Sequence, residues 1–452
     1  MGSILIKNAK AIVTLDGQDS VLENKNILIR DNYFDYIGND YCEADEVIEA
    51  GGMFVYPGLI NTHHHLYQTF TRNLPQMQNL ELFDWLIALY EIWRGLTPEM
   101  VYYSSLVGMG ELLKYGCTTC FDHHYVFPRN HSEEFIDRQF MAAEKLGMRF
   151  HASRGSMSRG KSDGGLPPDD LVQPVDVILT DSLRLIEKYH DPGRYSMRQL
   201  ALAPCSPFSV TGDLMVGTAE LAREKKVRLH THLAETKDEE QYCMEKFNMR
   251  PMDYMESLGW LGKDVWFAHG IHFNEGELKR LASTKTGVAH CPVSNQKLAS
   301  GTAGIPRMLE LGVPVGLAVD GSASNDCSNL LTELRASYLI HRLTFSHRAP
   351  NGYDLLKVAT RGGASVLGRD DIGNIEVGKA ADLFMIDVNR IEYVGALLDP
   401  GSILATVGVS GPVDYTIVNG QVVVKNGRLR TVDESQVVAE ANKLVSKLLT
   451  AS

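Results

Sequence analysis

Apolar and polar positions alternate with two different periods along the chain, and the pattern changes at the two ends of the range 58–372. Within that range, short apolar runs of the strand type are separated by stretches with the spacing of amphipathic helices. This alternation is typical of βα units that build a parallel sheet. The eight strand candidates end near His65, His124, Arg154, Phe208, Glu235, Gly270, Asn295 and Gly321. The clearest helical stretches are 99–115, 133–146, 213–225, 275–283 and 305–311.

Eight strands in this rhythm predict the α/β class, in the form of a distorted (β/α)8 barrel over residues 58–372. In such barrels the functional groups lie at the carboxyl ends of the strands. A long insertion from Leu66 to about Leu96 follows the first strand and contains Trp85 and Trp93. This insertion is placed to cover the functional face.

Both ends of the chain have a different pattern, with short β-rich runs between turn signals. The N-terminal part, 1–57, is too small for an independent core, and the C-terminal part, 373–432, repeats its style. We therefore expect the two ends to pack together as one small β-sandwich. Residues 433–452 are expected to add a closing amphipathic helix.

An apolar strand, Met53–Ile60, runs almost directly into three consecutive histidines at the start of the predicted barrel. Successive side chains of a strand point to opposite faces, so His63 and His65 share a face and His64 points the other way. Two imidazoles on one face can bind the same cation. Taken alone, the segment could also be a histidine-rich loop without a ligand.

Later strands also end in groups that bind metals or transfer protons. His232 and Glu235 follow the fifth strand, His269 the sixth, His290 the seventh and Asp320 the eighth. A single buried histidine or aspartate is often a core residue with satisfied hydrogen bonds. Several unpaired charges at one rim would cost on the order of several kcal/mol unless a cation or a partner neutralises them. The pattern therefore predicts a metal centre at the barrel mouth.

Composition excludes several classes of function. The chain has 452 residues, of which 44% are hydrophobic and 22% charged, as in ordinary globular proteins. A formal net charge of -12 without a Lys/Arg run argues against nucleic-acid binding. No apolar run reaches the roughly 18 residues of a membrane span, and Met1–Ile6 lacks a signal-peptide pattern. The seven cysteines are scattered, which is typical of reduced thiols, so we expect a cytoplasmic protein.

Taken together, four segments resemble the amidohydrolase superfamily, and within it the branch of deaminases and chlorohydrolases that use one metal ion. These segments are Pro57–His65, His232–Glu235, His269–Gly270 and Val319–Gly321. The resemblance covers nearly the whole chain, including the split β-sandwich and the segment Gly373–Leu383. The combination of motifs is specific, although no single motif is.

The resemblance implies a role for each matching residue. The implied metal ligands are His63, His65, His232 and Asp320. The implied catalytic residues are Glu235 as general acid/base, His269 as the contact of the reacting group, and Asp320 as acceptor of the water's proton. The fourth strand ends in Pro204–Phe208 without the Lys, Asp or Glu of two-metal members. That absence favours one divalent ion, Zn²⁺ first and Fe²⁺ as the alternative.

Four residues near the predicted strand ends are candidates for substrate contacts. An amide at Gln68 can donate and accept at a ring edge, and Arg154 can donate to a ring carbonyl. Trp85 could close over a flat ring, and Cys205 is a small, uncharged residue at the end of the fourth strand. Gln68, Arg154 and Trp85, each taken alone, are more often ordinary surface or core residues than ligand contacts.

The segments Asn61–Thr71, Glu81–Trp85 and Asp320–Asp326 most resemble deaminases of 8-oxoguanine, which form urate and ammonia. Guanine deaminases tend to have a basic-aromatic pair where Cys205 and Ser206 stand, so guanine is expected to be a poor substrate. Hydroxytriazine or other heterocycle aminohydrolases and chlorohydrolases are the alternative. A non-catalytic scaffold is a remote one, because the matched ligands are all present. We expect a small-molecule heterocyclic substrate, no nucleic-acid or membrane partner, and a homo-oligomer.

Other histidines near the motifs have less specific assignments. We expect His64 to face the barrel wall and His230 to be a core residue below the metal. His123 and His124 follow the second strand, and either of them could line the pocket. His290 stays open between a structural role and a place beside the catalytic groups.

Overall fold

The computed structural model describes residues 2–128 and 134–450 of the chain. Its N-terminal part forms short strands with buried apolar side chains. These are β1 (Ser3–Ala9), β2 (Ala11–Val13), β3 (Val21–Leu22), β4 (Lys25–Arg30), β5 (Tyr33–Gly38), β6 (Glu46–Glu49) and β7 (Met53–Pro57). Four of them form one sheet in the order β5-β4-β1-β6.

A parallel sheet occupies the middle of the chain. Its strands and their short extensions are β8 (Leu59–Asn61), β9 (His64–His65), β10 (Cys117–Phe121), β11 (Arg149–Ser156), β12 (Arg198–Pro204), β13 (Arg228–Leu233), β14 (Val265–His269), β15 (Gly287–His290), β16 (Val315–Leu317) and β17 (Asp320–Gly321). Eight strands pair in the order β8-β10-β11-β12-β13-β14-β15-β16. The sheet closes where the Thr62 N–H donates to Leu317 O at 3.2 Å and where β9 pairs with β17. This confirms the distorted (β/α)8 barrel, whose distortion lies at the junction of the first and last strands.

Helices lie between most of the barrel strands, and a few more follow the last one. They are α1 (Leu82–Trp93), α2 (Pro98–Lys114), α3 (Phe135–Leu146), α4 (Val175–Tyr189), α5 (Gly212–Lys225), α6 (Lys237–Phe247), α7 (Pro251–Ser257), α8 (Glu275–Thr284), α9 (Pro292–Lys297), α10 (Ile305–Leu311), α11 (Ser322–Asn325), α12 (Leu330–Phe345), α13 (Gly352–Lys357), α14 (Gly363–Val366), α15 (Ile403–Thr406) and α16 (Glu434–Thr450). Their starts follow ordinary capping chemistry. Thr97 accepts from the Met100 N–H at the start of α2, and Asn274 and Glu277 form a capping box at α8.

The two ends of the chain share a second sheet. The C-terminal strands are β18 (Leu383–Asp387), β19 (Tyr415–Val418), β20 (Gln421–Lys425) and β21 (Arg428–Leu429). The strand order is β21-β20-β19-β18-β7-β2-β3, and β18 pairs antiparallel with β7. Ile6, Val55 and Leu383 pack in one buried cluster, which gives the two sheets of the chain ends a common core. The closing helix α16 contacts α2.

Some barrel strands end earlier than the sequence pattern predicts. The seventh strand ends at His290 and not near Asn295, because Pro292 has no N–H for a sheet and begins α9 instead. The second ends at Phe121 and the fourth at Pro204.

The predicted insertion after the first strand folds as a 3-10 turn, Leu66–Thr71, followed by a second turn and α1. Trp85 and Trp93 are buried on α1. Within the two described stretches of the chain, no helix combines the length and the apolar composition that a membrane span requires.

A buried ion pair joins the barrel to the sheet of the chain ends. Arg149, on β11, makes a two-point contact with Asp382, with Nε–Oδ2 and Nη2–Oδ1 distances of 2.9 and 3.0 Å. Both side chains are almost inaccessible to solvent. The Arg149 Nη1 group also donates to the carbonyl oxygens of Tyr195 and Ser196. The guanidinium therefore has a partner on each side of the junction, which is the arrangement that offsets burial of a charge.

We predict that Arg149→Ala lowers the free energy of unfolding by about 3–5 kcal/mol, because it leaves the Asp382 carboxylate buried without its cation. Denaturant unfolding followed by circular dichroism measures the change. Arg307→Ala, which removes the exposed contact with Glu275, is the control and should move the midpoint far less. Equal shifts in the two variants would contradict the role of the buried pair.

Candidate active site

Four barrel strands bring the predicted functional residues to one end of the barrel. His63 and His65 come from the junction of β8 and β9, His232 from β13, His269 from the end of β14, and Asp320 from the start of β17. Each of these side chains is buried, with at most 8% of its surface exposed. The fold therefore places the predicted ligands at the carboxyl ends of the strands, as in other barrels of this type.

The ligand atoms lie as close together as the donors of a metal site. The Nε2 atoms of His65 and His232 are 3.1 Å apart, and Asp320 Oδ1 lies 3.2 Å from Nε2 of both His63 and His65. In a tetrahedral zinc site with bonds of ~2.05 Å, neighbouring ligand atoms are about 3.3 Å apart. The spacing fits one divalent cation.

The outer ring nitrogens of the three imidazoles already have partners. His65 Nδ1 lies 2.6 Å from His123 O, and His232 Nδ1 lies 2.7 Å from Cys205 O. A carbonyl oxygen can only accept, so each Nδ1 carries the hydrogen and each Nε2 presents its lone pair to the centre. Within the described residues, His63 Nε2 is buried without a hydrogen bond. This donor set of converging lone pairs fits a bound cation.

The protonation states also fit metal binding, which requires neutral imidazole. Burial lowers the pKa of His63 well below its usual range, and burial together with His65 lowers the pKa of His232 to about 3. Asp320 Oδ1, which lies 3.2 Å from Nε2 of both His63 and His65, belongs to the one acidic side chain of the group. The cluster therefore combines neutral nitrogen donors with one carboxylate.

Two further histidines lie near the centre but are less suited as ligands. The ring of His123 stacks on His232 at 4.8 Å and 24°, and the ring of His269 stacks on His232 at 5.6 Å and 16°. One nitrogen of each ring lies within 4.8 Å of other members of the cluster, but lone pairs in two nearly parallel ring planes converge poorly on one ion. His123 Nε2 also donates to Ala203 O.

The second oxygen of Asp320 is held by two serines that the sequence analysis did not assign. Ser294 Oγ donates to Asp320 Oδ2 at 2.6 Å, and Ser324 Oγ donates to the same atom at 3.2 Å. These contacts leave Oδ1 directed at the histidines. Ser324 lies four residues after Asp320, on the short helix α11 that follows β17, whereas Ser294 comes from a different βα unit and gives no local signal.

Glu235 lies beside the cluster of candidate metal ligands but is not part of it. It lines the cavity, and its Oε2 is 3.5 Å from His269 Nε2. Burial, and secondarily the nearby Asp320, raise the pKa of Glu235 well above its usual value. A carboxyl group that holds its proton in this way can begin a reaction as an acid.

A second buried carboxylate holds the backbone around Glu235. Glu239 Oε1 accepts from the Ala234 N–H at 3.0 Å, and Glu239 Oε2 accepts from the Glu235 N–H at 2.9 Å. Ala234 has a φ of 54°, His269 of 71° and Asp320 of 60°. Such left-handed conformations are strained for residues with a Cβ and concentrate at functional sites. The strands thus turn sharply where they deliver these groups.

His269 has a partner that the sequence analysis did not assign. Its Nδ1 lies 2.9 Å from the side-chain Oδ1 of Asn295, on α9. The contact fixes the plane of the ring, with Nε2 facing Glu235. Asn295 lies on the segment that follows the seventh strand, so the barrel fold predicts that it lies near the site. The fold does not predict its contact with His269.

A small cavity opens above the cluster. It is lined by polar groups of the strand ends and by apolar groups of α1 and later loops. The lining residues are His65, Gln68, Leu82, Trp85, Leu86, Tyr125, Cys205, Phe208, His232, Glu235, His269, Leu298, Asp320 and Ser324. Three predicted substrate contacts, Gln68, Trp85 and Cys205, are therefore in place to meet a ligand. Tyr125, which follows His123 and His124, was missed, and it lines the cavity.

Arg154 requires a correction, because its side chain leaves the barrel interior. Its Nε lies 2.7 Å from Asp181 Oδ2, on α4, and its Nη2 donates to Gln173 Oε1 at 2.8 Å. The guanidinium also stacks over the Phe127 ring at 3.8 Å. With its donors used on the outer side of β11, Arg154 is not retained among the candidate substrate contacts.

The remaining histidines take other positions. His64 Nε2 contacts Ser328 Oγ at 2.9 Å, on the wall side of the strand. His230 is a buried ring as expected, and it also lies 2.7 Å from His63. His290 is buried, and neither of its ring nitrogens has a hydrogen bond among the described residues. His124 Nε2 contacts Val126 O.

The barrel, its paired end sheets and this cluster define a class of metal-dependent hydrolases. The amidohydrolase family model matches residues 54–423, and the chain belongs to that family.

Within this family, the chain is similar over its whole length to several enzymes of known activity. The chain is 43% identical to the 8-oxoguanine deaminase of Pseudomonas aeruginosa PAO1 over 99% of this chain and 100% of that one. It is 41% identical to the hydroxydechloroatrazine ethylaminohydrolase of Pseudomonas sp. strain ADP over 99% and 96%. Among solved structures, the atrazine chlorohydrolase of Arthrobacter aurescens TC1, complexed with zinc, superposes with a TM-score of 0.94 at 34% identity, over 98% of this chain and 100% of that one. The expected family is confirmed, and with it a hydrolase that acts on C–N bonds and a site for a divalent metal.

We predict that His63→Ala and His232→Ala each lower the bound metal well below one ion per chain, because each removes one of four donors. The same variants should melt at lower temperature, since metal binding adds to the free energy of folding. Elemental analysis of the purified proteins measures the metal. His64→Gln is the control and should keep it. Full occupancy in both ligand variants would refute the assignment.

Proposed function

We propose that the protein is a hydrolytic deaminase of an oxidised aminopurine, which converts 8-oxoguanine and water to urate and ammonia. The observation that carries the proposal is the cavity, which brings the candidate metal cluster, the buried acid Glu235 and the unpaired amide of Gln68 around one small space. The full-length similarity to an 8-oxoguanine deaminase supports this choice of substrate.

The proposed metal ligands are His63, His65, His232 and Asp320, which bind one divalent ion per chain. Zn²⁺ is favoured over Fe²⁺ because the chlorohydrolase with a similar fold was solved with zinc, although such a donor set accepts either ion. A divalent ion held there lowers the pKa of water and so supplies a nucleophile near neutral pH.

The surrounding residues then move the protons. Asp320 accepts a proton from the attacking water, and the oxygen bonds to the ring carbon that carries the amine. Glu235 gives its proton to the adjacent ring nitrogen, which draws electrons away from that carbon. As the C–N bond breaks, the proton that Asp320 accepted passes to the departing amine, which leaves as ammonia. The deprotonated Glu235 takes the remaining proton of the former water, so a carbonyl oxygen stays on the ring. His269 contacts the oxygen that remains on the ring.

Gln68 and Trp85 are the proposed ring contacts. In the described parts of the chain, neither polar atom of the Gln68 amide makes a hydrogen bond of normal geometry, and the same holds for Trp85 Nε1. Both side chains are buried and line the cavity. Buried polar atoms without partners are costly, so a ligand that satisfies them gains affinity. A purine with adjacent carbonyl and N–H groups offers such partners.

Cys205 adds a small neutral surface to the cavity. Burial raises the pKa of its thiol to about 12, so the group stays protonated. A larger, charged side chain at this position would occupy space that the imidazolone edge of 8-oxoguanine needs. We therefore propose that guanine is a poor substrate and isoguanine a second one.

The second candidate function is hydrolysis of a hydroxytriazine or another heterocycle, including removal of chloride. The apolar part of the cavity favours it specifically, since Leu82, Leu86, Phe208 and Leu298 could hold the alkyl groups of such a ring. The 41% identity to a hydroxydechloroatrazine ethylaminohydrolase supports the same alternative. A cytoplasmic location and a homo-oligomer stay predictions from the sequence.

We predict that Glu235→Gln keeps the metal but lowers the turnover rate at least ~10²-fold, because an amide of the same shape cannot exchange the proton. Steady-state ammonia release and elemental analysis of one sample give the two values. Glu310→Gln, at an exposed site on α10, is the matched control. Turnover of Glu235→Gln near the parent rate would remove this residue from the mechanism.

We predict that kcat/KM for 8-oxoguanine exceeds that for guanine by up to ~10⁴-fold, because guanine lacks the carbonyl and N–H that the site would pair. Ammonia release from 8-oxoguanine, isoguanine, guanine and a hydroxyaminotriazine provides the comparison. A tenfold preference for the triazine would replace the proposed substrate with the second candidate and leave the mechanism intact.

A further inference from the structure

His230 lies on β13 directly beneath the cluster of candidate metal ligands, two residues before His232, and is fully buried. Its ring stacks on the indole of Trp266 with a centroid distance of 4.5 Å and an angle of 27°. Phe121 packs edge-on against the same ring at 5.0 Å. Trp266 is itself held by a hydrogen bond from its Nε1 to Thr62 O. The imidazole of His230 therefore sits in a packed layer in which it has little freedom to turn.

The hydrogen bonds of His230 determine where its hydrogen lies. Its Nδ1 is 2.9 Å from Trp266 O, and a carbonyl oxygen only accepts, so Nδ1 carries the hydrogen. The ring is fully buried, and no carboxylate forms an ion pair with it among the described residues, so a positive charge on it would be costly and the ring is neutral. Its Nε2 is then an acceptor, and this atom lies 2.7 Å from His63 Nδ1.

The contact with His230 consequently determines the tautomer of His63. Because His230 Nε2 accepts, His63 Nδ1 must carry the hydrogen, and His63 Nε2 presents its lone pair to the cluster. In the opposite tautomer two lone pairs would face each other at 2.7 Å. The arrangement excludes the form of His63 that cannot bind a cation through Nε2.

His63 differs in this respect from the other two imidazoles of the cluster. His65 and His232 donate to backbone carbonyl groups, which no side-chain substitution removes. His63 alone among these three depends on a side chain for its outer hydrogen bond. Partners of this kind orient metal-binding histidines and raise their basicity in other proteins, and their loss weakens metal binding.

We infer that His230 is a positioning residue that fixes the tautomer and ring orientation of His63 and thereby strengthens binding of the divalent cation. The inference rests on the proposed role of His63 as a metal ligand. His230 does not touch the cation or the substrate, so its effect passes through His63.

The test compares His230→Leu with His230→Gln in the full chain. Leucine fills the space but offers no acceptor to His63, whereas the Oε1 atom of glutamine can accept in place of Nε2. The dissociation constant for Zn²⁺ is measured by competition with a chromogenic chelator, and thermal unfolding of the metal-free proteins is measured in parallel. We expect His230→Leu to weaken zinc binding about 10- to 100-fold and His230→Gln to recover most of the loss, with similar metal-free unfolding midpoints.

Two outcomes overturn the inference. The first is that His230→Leu binds zinc as tightly as the parent protein. The second is that the leucine and glutamine variants lose zinc affinity equally and also lose metal-free stability equally. His63→Ala separates this failure from failure of the proposed function. If His63→Ala keeps full zinc affinity, the ligand assignment itself is wrong. If His63→Ala loses zinc and His230→Leu does not, only the role of His230 fails.

A measurement on the unsubstituted protein covers the case in which His230→Leu does not fold. Long-range ¹H–¹⁵N spectra of ¹⁵N-histidine-labelled, metal-free protein distinguish the two neutral tautomers of each ring. His63 and His230, assigned by comparison with His63→Gln and His230→Gln, should both carry hydrogen on Nδ1. Hydrogen on Nε2 of either ring would overturn the inference.

Discussion

The structure of the barrel mouth depends on the electrostatic repulsion among lone pairs that point into one buried space. Asp320 Oδ1 lies 3.2 Å from two imidazole nitrogens, and the Nε2 atoms of His65 and His232 are 3.1 Å apart in a buried space. These atoms repel one another unless a cation lies between them. The Nδ1 atom of each imidazole and the second oxygen of Asp320 are hydrogen-bonded to neighbouring groups, so these side chains cannot turn toward other partners. The cation is in this account part of the folded structure of the mouth as well as part of the chemistry.

The polypeptide around the cluster is shaped to hold this arrangement. Ala234, His269 and Asp320 have positive φ angles, and conformations of this kind cost roughly 1–3 kcal/mol each. The buried carboxylate of Glu239 offsets part of this cost after β13, because it accepts from two successive N–H groups. Ser294 orients Asp320 in the same way by holding its second oxygen. Strain and buried polar contacts thus lie together at the site, while the far side of the barrel is tied to the end sheets by the Arg149–Asp382 pair.

The sequence predicts those parts of the site that follow from local spacing. His63 and His65 share a face because a strand has a period of two, and the barrel brings the strand ends together. Arg154 shows where this reasoning fails: every residue of β11 is buried, so no alternation tells which side chains face inward. The contact between His63 and His230 joins residues 167 positions apart and depends on a distance of 2.7 Å, which no local pattern encodes. The role of Asn295 was missed for the same reason.

X-ray absorption spectroscopy of the purified protein, at the edge of its bound metal, identifies the donor atoms around the ion and so tests the assignment of the three histidines and Asp320 as ligands. We predict one metal per chain with a nitrogen and oxygen shell at ~2.0–2.1 Å and the multiple-scattering signature of imidazole. A sulfur shell at ~2.3 Å would instead place Cys205 among the ligands. That result, or an imidazole-free oxygen shell, would contradict the assignment of the three histidines.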